Sequence, residues 1–422
     1  MATGTTPSTR EDQRFGRDRR PLLALFGANA ISLTGNQLTV LAVPWFVLET
    51  TGSATRTGIA AFFAILPVVL AAFFGGAVVD RLGYQRASVL SDLASGATVA
   101  LIPLLFAVDL LPFWALLALV FLGALLDAPG ETARRALLPD LAAAAGMPIE
   151  RATASAQVVQ RGSLLLGAPL SGALIALLGP ANVLWLDAAT FAVSAALVGF
   201  AIPATRLPAP AGGESYLASL AVGLRFIRQD RLMLAIVLTL VVTNFLDAAW
   251  ASVVAPVYAR EAYGSAVALG LMFGASGGGA MVGAVAYGAV GHRLPRRPVF
   301  VAGFIVASLP MLLLATLPSL PVAVVALAIG ELGSGPLNPI LGAVAYERIP
   351  AEMRGRVLGP LTAGAWVAMP LGVLVAGVAL DGAGLRPTLL AIGACYLVTT
   401  LTLVVNPAIK GMDRSAPAAA PG

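Results

Sequence analysis

Twelve apolar stretches, each around twenty residues long, divide this 422-residue chain at close to regular intervals. A hydrocarbon core about 30 Å thick is crossed by a helix of about 20 apolar residues, and a helix satisfies its own backbone hydrogen bonds in lipid. Apolar runs set against charged or Pro/Gly-marked breaks predict spans at 22–48, 57–79, 88–107, 112–133, 157–178, 181–201, 232–258, 266–290, 298–317, 321–343, 357–380 and 387–405. Asp127, Pro129, Gly130 and Glu131 interrupt the second half of the fourth. Only 11% of the residues are charged and 58% are hydrophobic, whereas a soluble domain carries roughly 25% charge. A water-soluble fold is excluded, and an all-α membrane protein is expected. The first apolar run, from Leu22, follows a polar, Arg-rich segment and is too long for the core of a cleaved signal peptide.

Arginine placement predicts orientation, because basic residues favour the cytoplasmic side. With the N-terminus inside, 23 of the 26 basic residues fall in cytoplasmic segments, and Arg56, Arg260 and Arg386 remain outside. Both termini are therefore expected in the cytoplasm. A basic face toward anionic lipid accounts for the pI near 9.8, so nucleic-acid binding is not needed. The Ala-, Gly- and Arg-rich composition with a single lysine suggests a bacterium of high GC content and its plasma membrane.

Several chemistries lack their residues. Cys395 is the one cysteine, which rules out an intrachain disulfide or a thiolate cluster, and the one histidine, His292, makes neither a metal site nor a triad. Lys410 is followed by Gly411, so the phosphate-cradling loop of a nucleotidase is absent. No catalytic residues, metal or cofactor are expected. The Gly-rich run from Gly274 to Gly283 reads as helix packing or bending.

The stretch 203–231 begins Pro- and Gly-rich and then turns amphipathic, with Leu217, Leu220, Leu224 and Ile227 at helical spacing beside Arg225, Arg228 and Arg231. That pattern suits a helix lying on a membrane surface. It separates a tail over 1–20 and a six-helix bundle over 21–202 from a second six-helix bundle over 232–406 and a tail over 407–422. Ala168-Pro169-Leu170-Ser171-Gly172 in the fifth span echoes Met369-Pro370-Leu371-Gly372 in the eleventh, as an internal repeat would.

The loop after the second span, Gly76-Ala-Val-Val-Asp80-Arg81-Leu-Gly83-Tyr84-Gln85-Arg86, resembles the G-x-x-x-D-R-x-G-R-[RK] signature of the major facilitator superfamily. It departs from that signature at Tyr84 and Gln85. The resemblance implies twelve helices in two bundles and a latch closing the cytoplasmic side, made of Gly76, Asp80, Arg81, Gly83, Arg86 and, nearby, Asp92 with Arg86 or a span-four arginine. A plain positive-inside loop is the alternative. The segments Ala133-Arg134-Arg135-Ala136-Leu137-Leu138-Pro139-Asp140, Trp185-Leu186-Asp187-Ala188 and Ile349-Pro350-Ala351-Glu352-Met353-Arg354-Gly355-Arg356 resemble the exporter branch that includes enterobactin and macrolide efflux proteins. Gly167, Pro169 and Gly172 resemble an antiporter motif of the family, although small-residue packing explains them too. The family's usual arginine within span four has no counterpart in 112–133, so coupling through such a cation is not expected.

Ionisable residues within spans are costly and mark candidate functional positions. Asp127 and Glu331 are the preferred proton-coupling candidates, with Glu131 and Asp247 beside them. Glu131 has an alternative as a cytoplasmic-end ion pair with Arg135, whereas Asp187, early in the sixth span where a helix N-terminus favours a carboxylate, is expected to be structural. Proton coupling requires desolvation, which favours the neutral acid, to outweigh nearby arginines, which favour the charged one. Asn29, Ser32, Asn36, Asn244 and Asn338 offer hydrogen bonds to a cargo or between helices, while Phe245 and Trp250 offer aromatic contacts. Trp45 and Tyr258 suit the membrane interface.

The resulting expectation is a monomeric secondary transporter, not an enzyme, whose partners are a small-molecule substrate, protons and membrane lipid. It would export an amphipathic drug or natural product by proton antiport. Alternatives are a siderophore or polar-metabolite carrier, an importer, or a membrane sensor that transports nothing.

Overall fold

A computed structural model describes residues 18–74, 82–203, 216–350 and 353–413. The first six membrane helices are α1 (Arg20–Thr51), α2 (Ala54–Phe74), α3 (Tyr84–Ala107), α4 (Phe113–Ala144), α5 (Ile149–Leu178) and α6 (Pro180–Ala201). A polar-sided helix, α7 (Tyr216–Gln229), separates them from α8 (Arg231–Tyr263), α9 (Ala266–Val290), α10 (Arg296–Leu314), α11 (Leu320–Arg348), α12 (Arg354–Trp366 continued by Met369–Ala383) and α13 (Leu385–Val405). Among the described residues, eleven helices are long and apolar enough to cross a membrane, and α2 contributes a shorter apolar stretch over Ala54–Leu70. The chain is a multi-pass membrane protein. Gly76, Asp80 and Arg81 of the expected latch lie outside the described residues.

Helix ends follow ordinary local chemistry. Gly52, at φ +67°, terminates α1 in the left-handed conformation that favours glycine. Asp230 caps α8 by accepting from the Leu232 and Met233 amides. Gly83, at φ +79°, makes the turn into α3. Prolines interrupt three helices of the second set. A π-turn at Trp250–Val254 precedes Pro256, Pro336 follows the break after Ser334, and Pro370 follows the break after Trp366. Each proline lacks the amide that an unbroken helix would use there.

The helices pack as two sets whose contacts correspond. In the first set α3 packs on α4 and α6, α1 on α5 and α6, and α2 on α4. In the second, α10 packs on α11 and α13, α8 on α12 and α13, and α9 on α11. The sets meet where α2 crosses α12 and where α5 crosses α9. The latter crossing has almost no room for side chains: a Cβ at Gly172 would lie 2.5 Å from the Ala266 carbonyl oxygen and 2.8 Å from the Gly270 Cα.

Both crossings are tightest at the far face, opposite the termini. There Asp381 of α12 accepts hydrogen bonds from Ser53 Oγ at 2.8 Å and from the Ala54 and Thr55 amides at 2.9 Å each, capping α2 from the other set. Arg260 of α8 donates to the Leu48 carbonyl of α1. At the terminal face, α7 lies against the first part of α12, with Gly223 in contact with the Arg356 backbone.

Alanine usually stabilises a helix relative to glycine by about 1 kcal/mol, so the crossing is best tested against a glycine in open space. Gly172→Ala should lower the melting temperature of detergent-purified protein, with an overpacking cost of about 1–3 kcal/mol. Gly342→Ala, at a position with no heavy atom within 4 Å, should leave it unchanged or raise it slightly.

Candidate functional site: a two-acid cavity

Regular structure in α4 continues to Ala144, well past the end at 133 expected from its apolar run. This continuation carries Arg134 into the packed interior, where its side chain is 1% exposed. Arg134 therefore overturns the expectation that span four lacks a buried cation. Its Nη1 lies 2.6 Å from Asp92 Oδ1 of α3, and that aspartate is 0% exposed. Asp92 Oδ2 accepts from Ser194 Oγ of α6 at 2.7 Å, and Arg134 Nη2 lies 3.4 Å from Ser32 Oγ of α1. All these partners belong to the first set of helices. Asp92 thus ties α3 to α4 and α6 inside one set, and its partner is the span-four arginine, one of the two partners expected for it. A Cβ at Gly130 would lie 2.8 Å from that of Ser91, so the α3–α4 approach that makes this ion pair possible depends on a glycine.

Two turns earlier on α4, Asp127 accepts from Asn36 Nδ2 at 3.0 Å through Oδ2, while its Oδ1 lies 3.9 Å from Arg134 Nη2 and has no hydrogen-bond partner. Asp187 of α6 is 0% exposed. It accepts from the Thr39 hydroxyl of α1 and, at 3.1 Å, from Thr190 Oγ1. The α1–α6 crossing sits against it at Gly35, where a side chain would collide with Asp187 and Thr190. Both acids line a cavity of about 300 Å³. Its walls are apolar, from Ala61, Ala64 and Ile65 of α2 and Leu119 and Val120 of α4, and its polar groups are Asn36, Thr39, Asp127, Asp187 and Ser252, the last from α8. No arginine, lysine or histidine is among its lining residues.

Residues 25–264 and 237–419 each match the family pattern described as Major Facilitator Superfamily. The chain belongs to the major facilitator superfamily. It is accordingly a membrane transporter of small molecules, not an enzyme. The multidrug efflux pump Tap of Mycolicibacterium fortuitum is 33% identical over 404 residues, covering 94% of this chain and 98% of the pump. The pump of the same name from Mycobacterium tuberculosis H37Rv is 32% identical over 401 residues, covering 94% and 96%. Among solved structures, the nucleoside transporter NupG superposes with a TM-score of 0.75 at 12% identity, covering 91% of this chain and 98% of that one. A D-xylose–proton symporter does so at 0.68 and 15%, covering 92% and 98%. At such identities the superpositions speak for the fold alone.

Within this facilitator, the structure gathers only part of the residues singled out from sequence. Asn36 and Asp127 line the cavity, and Ser32 supports Arg134 behind it. Glu131 pairs with Arg135 on an exposed side of α4, as its alternative reading had it. Asn29 is half-buried and Asn338 exposed, both outside the cavity lining. Asn244 donates to the Ala365 carbonyl of α12 at 3.1 Å and so acts between helices. Phe245 packs into the core beside α12, and Trp250, in the π-turn, lies 6.4 Å from the Tyr258 ring. Arg86 is exposed. Gly167 packs against Gln37 of α1, while Pro169 and Gly172 contact α9 at the crossing between sets.

A second acidic group lies in the second set. Asp247 accepts from the Tyr396 hydroxyl of α13, and Glu331 accepts from Ser334 Oγ at the break in α11. Asp187 is the cavity acid that the sequence does not rank as functional. It stands about two turns into α6, beyond the first turn where a helix N-terminus favours a carboxylate. Its association with Thr39 and Thr190 leaves no sequence pattern that would mark it.

Removing one partner of a buried ion pair leaves an uncompensated charge, at a cost of about 3–5 kcal/mol. Arg134→Ala should therefore lower the melting temperature of the purified protein far more than Arg135→Ala, whose exposed pair is worth about 0–1 kcal/mol. Equal effects of the two substitutions in a thermal melt would contradict the assigned environment of Arg134.

Proposed function

We propose that the chain exports a small amphipathic organic compound across a bacterial plasma membrane in exchange for protons, by alternating access. Its likeness to the Tap pumps extends over 94% of its length, and those relatives are named for multidrug efflux. An apolar chamber with a few polar groups suits a ligand that is itself mostly apolar.

The observation that carries the coupling is a charge count. Among the described residues, Asp92, Asp127 and Asp187 share the interior of the first set with a single buried arginine, Arg134. With all four ionised, two negative charges are uncompensated. An unpaired charge in a dehydrated interior costs several kcal/mol, and the cost falls when a proton or another cation occupies the site. A cavity that must hold one or the other exchanges them, which is antiport. Asp127, with an oxygen free of hydrogen bonds, is the coupling acid of the first set. Glu331, on the helix corresponding to α4 and next to a helix break, is its counterpart in the second, supported by Asp247. Glu131, paired with Arg135, has no part in this scheme.

Basic residues concentrate in the segments on the side of the termini, so in this reading the termini are cytoplasmic and the far face is extracellular. The state described is then inward-facing, its extracellular side sealed by the α2–α12 and α5–α9 crossings. Rocking to the outward-facing state breaks the Asp381 cap on α2 and the Arg260–Leu48 bond while the packing within each set is kept.

Inverted membrane vesicles carrying the protein should accumulate a fluorescent amphipathic cargo when their lumen is acidified. Asp127→Asn and Glu331→Gln should each abolish that gradient-driven accumulation at normal protein levels. Accumulation indifferent to the pH gradient would remove the antiport mechanism, and unaltered gradient-driven flux in both variants would remove the assigned acids.

A further inference from the structure

We infer that Asp187 selects cargo by charge, and that the cargo class is an organic cation: a positively charged nitrogen on an apolar body. This inference rests on the exporter reading above and assigns the two cavity acids different work.

The difference lies in what each carboxylate faces. Asp127 lies 3.9 Å from the Arg134 guanidinium and accepts an amide hydrogen bond from Asn36, so part of its charge is already answered by a protein cation. Among the described residues, the hydrogen-bond donors to Asp187 are hydroxyls. Thr39 and Thr190 each donate to it, which fixes the carboxylate in place but brings no positive charge. The nearest groups on α1 add none, because Gly35 and Asn36 are uncharged and Gly35 leaves no room for a side chain beside the acid. Among the described residues, no basic side chain lines the chamber, and the second set contributes Ser252.

A held carboxylate with no counter-cation, at the edge of an apolar chamber of about 300 Å³, is complementary to a cation and repels an anion. In a medium of low dielectric that discrimination is large compared with its value in water. The apolar walls of α2 and α4 take the remainder of the ligand without selecting its shape closely, since they offer methyl and methylene surfaces and no directed polar contacts. The chamber thus reads charge at one point and hydrophobicity elsewhere. Asp127, whose buried Oδ1 has no hydrogen-bond partner, keeps the proton-carrying role proposed above.

The test uses ethidium, a permanent organic cation, with full-length protein purified in detergent. Fluorescence anisotropy should detect saturable ethidium binding to the wild type. Asp187→Asn should weaken it at least tenfold, and Asp187→Glu, which keeps the charge, should hold it within about threefold. A neutral amphipathic competitor should displace ethidium with the same apparent affinity from wild type and Asp187→Glu. Failure of the wild type to bind ethidium, or equal affinity in Asp187→Asn, would overturn the assignment.

If Asp187→Asn does not fold, carbodiimide labelling of the wild type followed by peptide mass spectrometry answers the same question. Ethidium should protect Asp187 from modification, and labelling that ignores ethidium would overturn the proposal. Binding that depends on Asp187 in a protein whose flux ignores the pH gradient would leave this inference standing and remove the antiport mechanism alone.

Discussion

The ion pair between Arg134 and Asp92 is the interaction on which the first half of this transporter is built. A guanidinium with no access to solvent must be answered by a carboxylate and by hydrogen bonds, and here the answers come from three other helices: Asp92 on α3, Ser32 on α1 and, through Asp92, Ser194 on α6. The pair fixes α4 rotationally. Because α4 also carries Asp127 two turns earlier and apolar residues before that, fixing its rotation presents an acid and an apolar wall to the same chamber. Small residues make the arrangement possible: Gly130 admits α3, and Gly35 admits α6 with Asp187. Electrostatics at one point and close backbone approach at two others therefore place both acids of the cavity.

The two halves share a packing scheme and differ in chemistry. Corresponding helices make corresponding contacts, yet the second half groups Asp247, Tyr396 and Glu331 without a buried arginine among their described hydrogen-bond partners. It also carries the helix breaks, at Trp250–Val254, after Ser334 and after Trp366. A repeat that has kept its geometry while its charges diverged gives a carrier one half with an internally balanced cation and one half with interrupted, acid-bearing helices. In the proposed cycle, rigid rocking about the shared crossings moves the seal from one face to the other, while the acids stay near the middle of the structure.

Much of this is legible in the sequence because lipid leaves little choice. Apolar runs of span length have to be helices, and among the described residues each of the twelve is helical, eleven of them long and apolar enough to cross a membrane. The 203–231 segment announces α7 through leucines at helical spacing. Gly167, Pro169 and Gly172 announce a tight helix crossing, and the loop from Gly76 to Arg86 carries enough of the superfamily's signature to be recognised. Arg134 escapes for a physical reason: the rule that puts arginines in cytoplasmic loops is statistical, and it cannot see that Asp92, 42 positions earlier, waits for this one inside the bundle. The four-residue spacing of Asp127 and Glu131 suggests a shared face, but the helix points Glu131 toward Arg135 and solvent instead. Asp187 escapes because its partners are Thr39 on another helix and Thr190 one turn on, contacts that exist only after α1 and α6 have packed.

If protons and cargo occupy the same cavity in turn, as proposed, then by linkage a ligand that displaces protons must release them into solution when it binds. Ethidium added to concentrated, weakly buffered wild-type protein in detergent should lower the pH by an amount that saturates with binding, on the order of one proton per ethidium bound. Binding of ethidium with no proton release at any pH between mildly acidic and neutral would rule out shared occupancy.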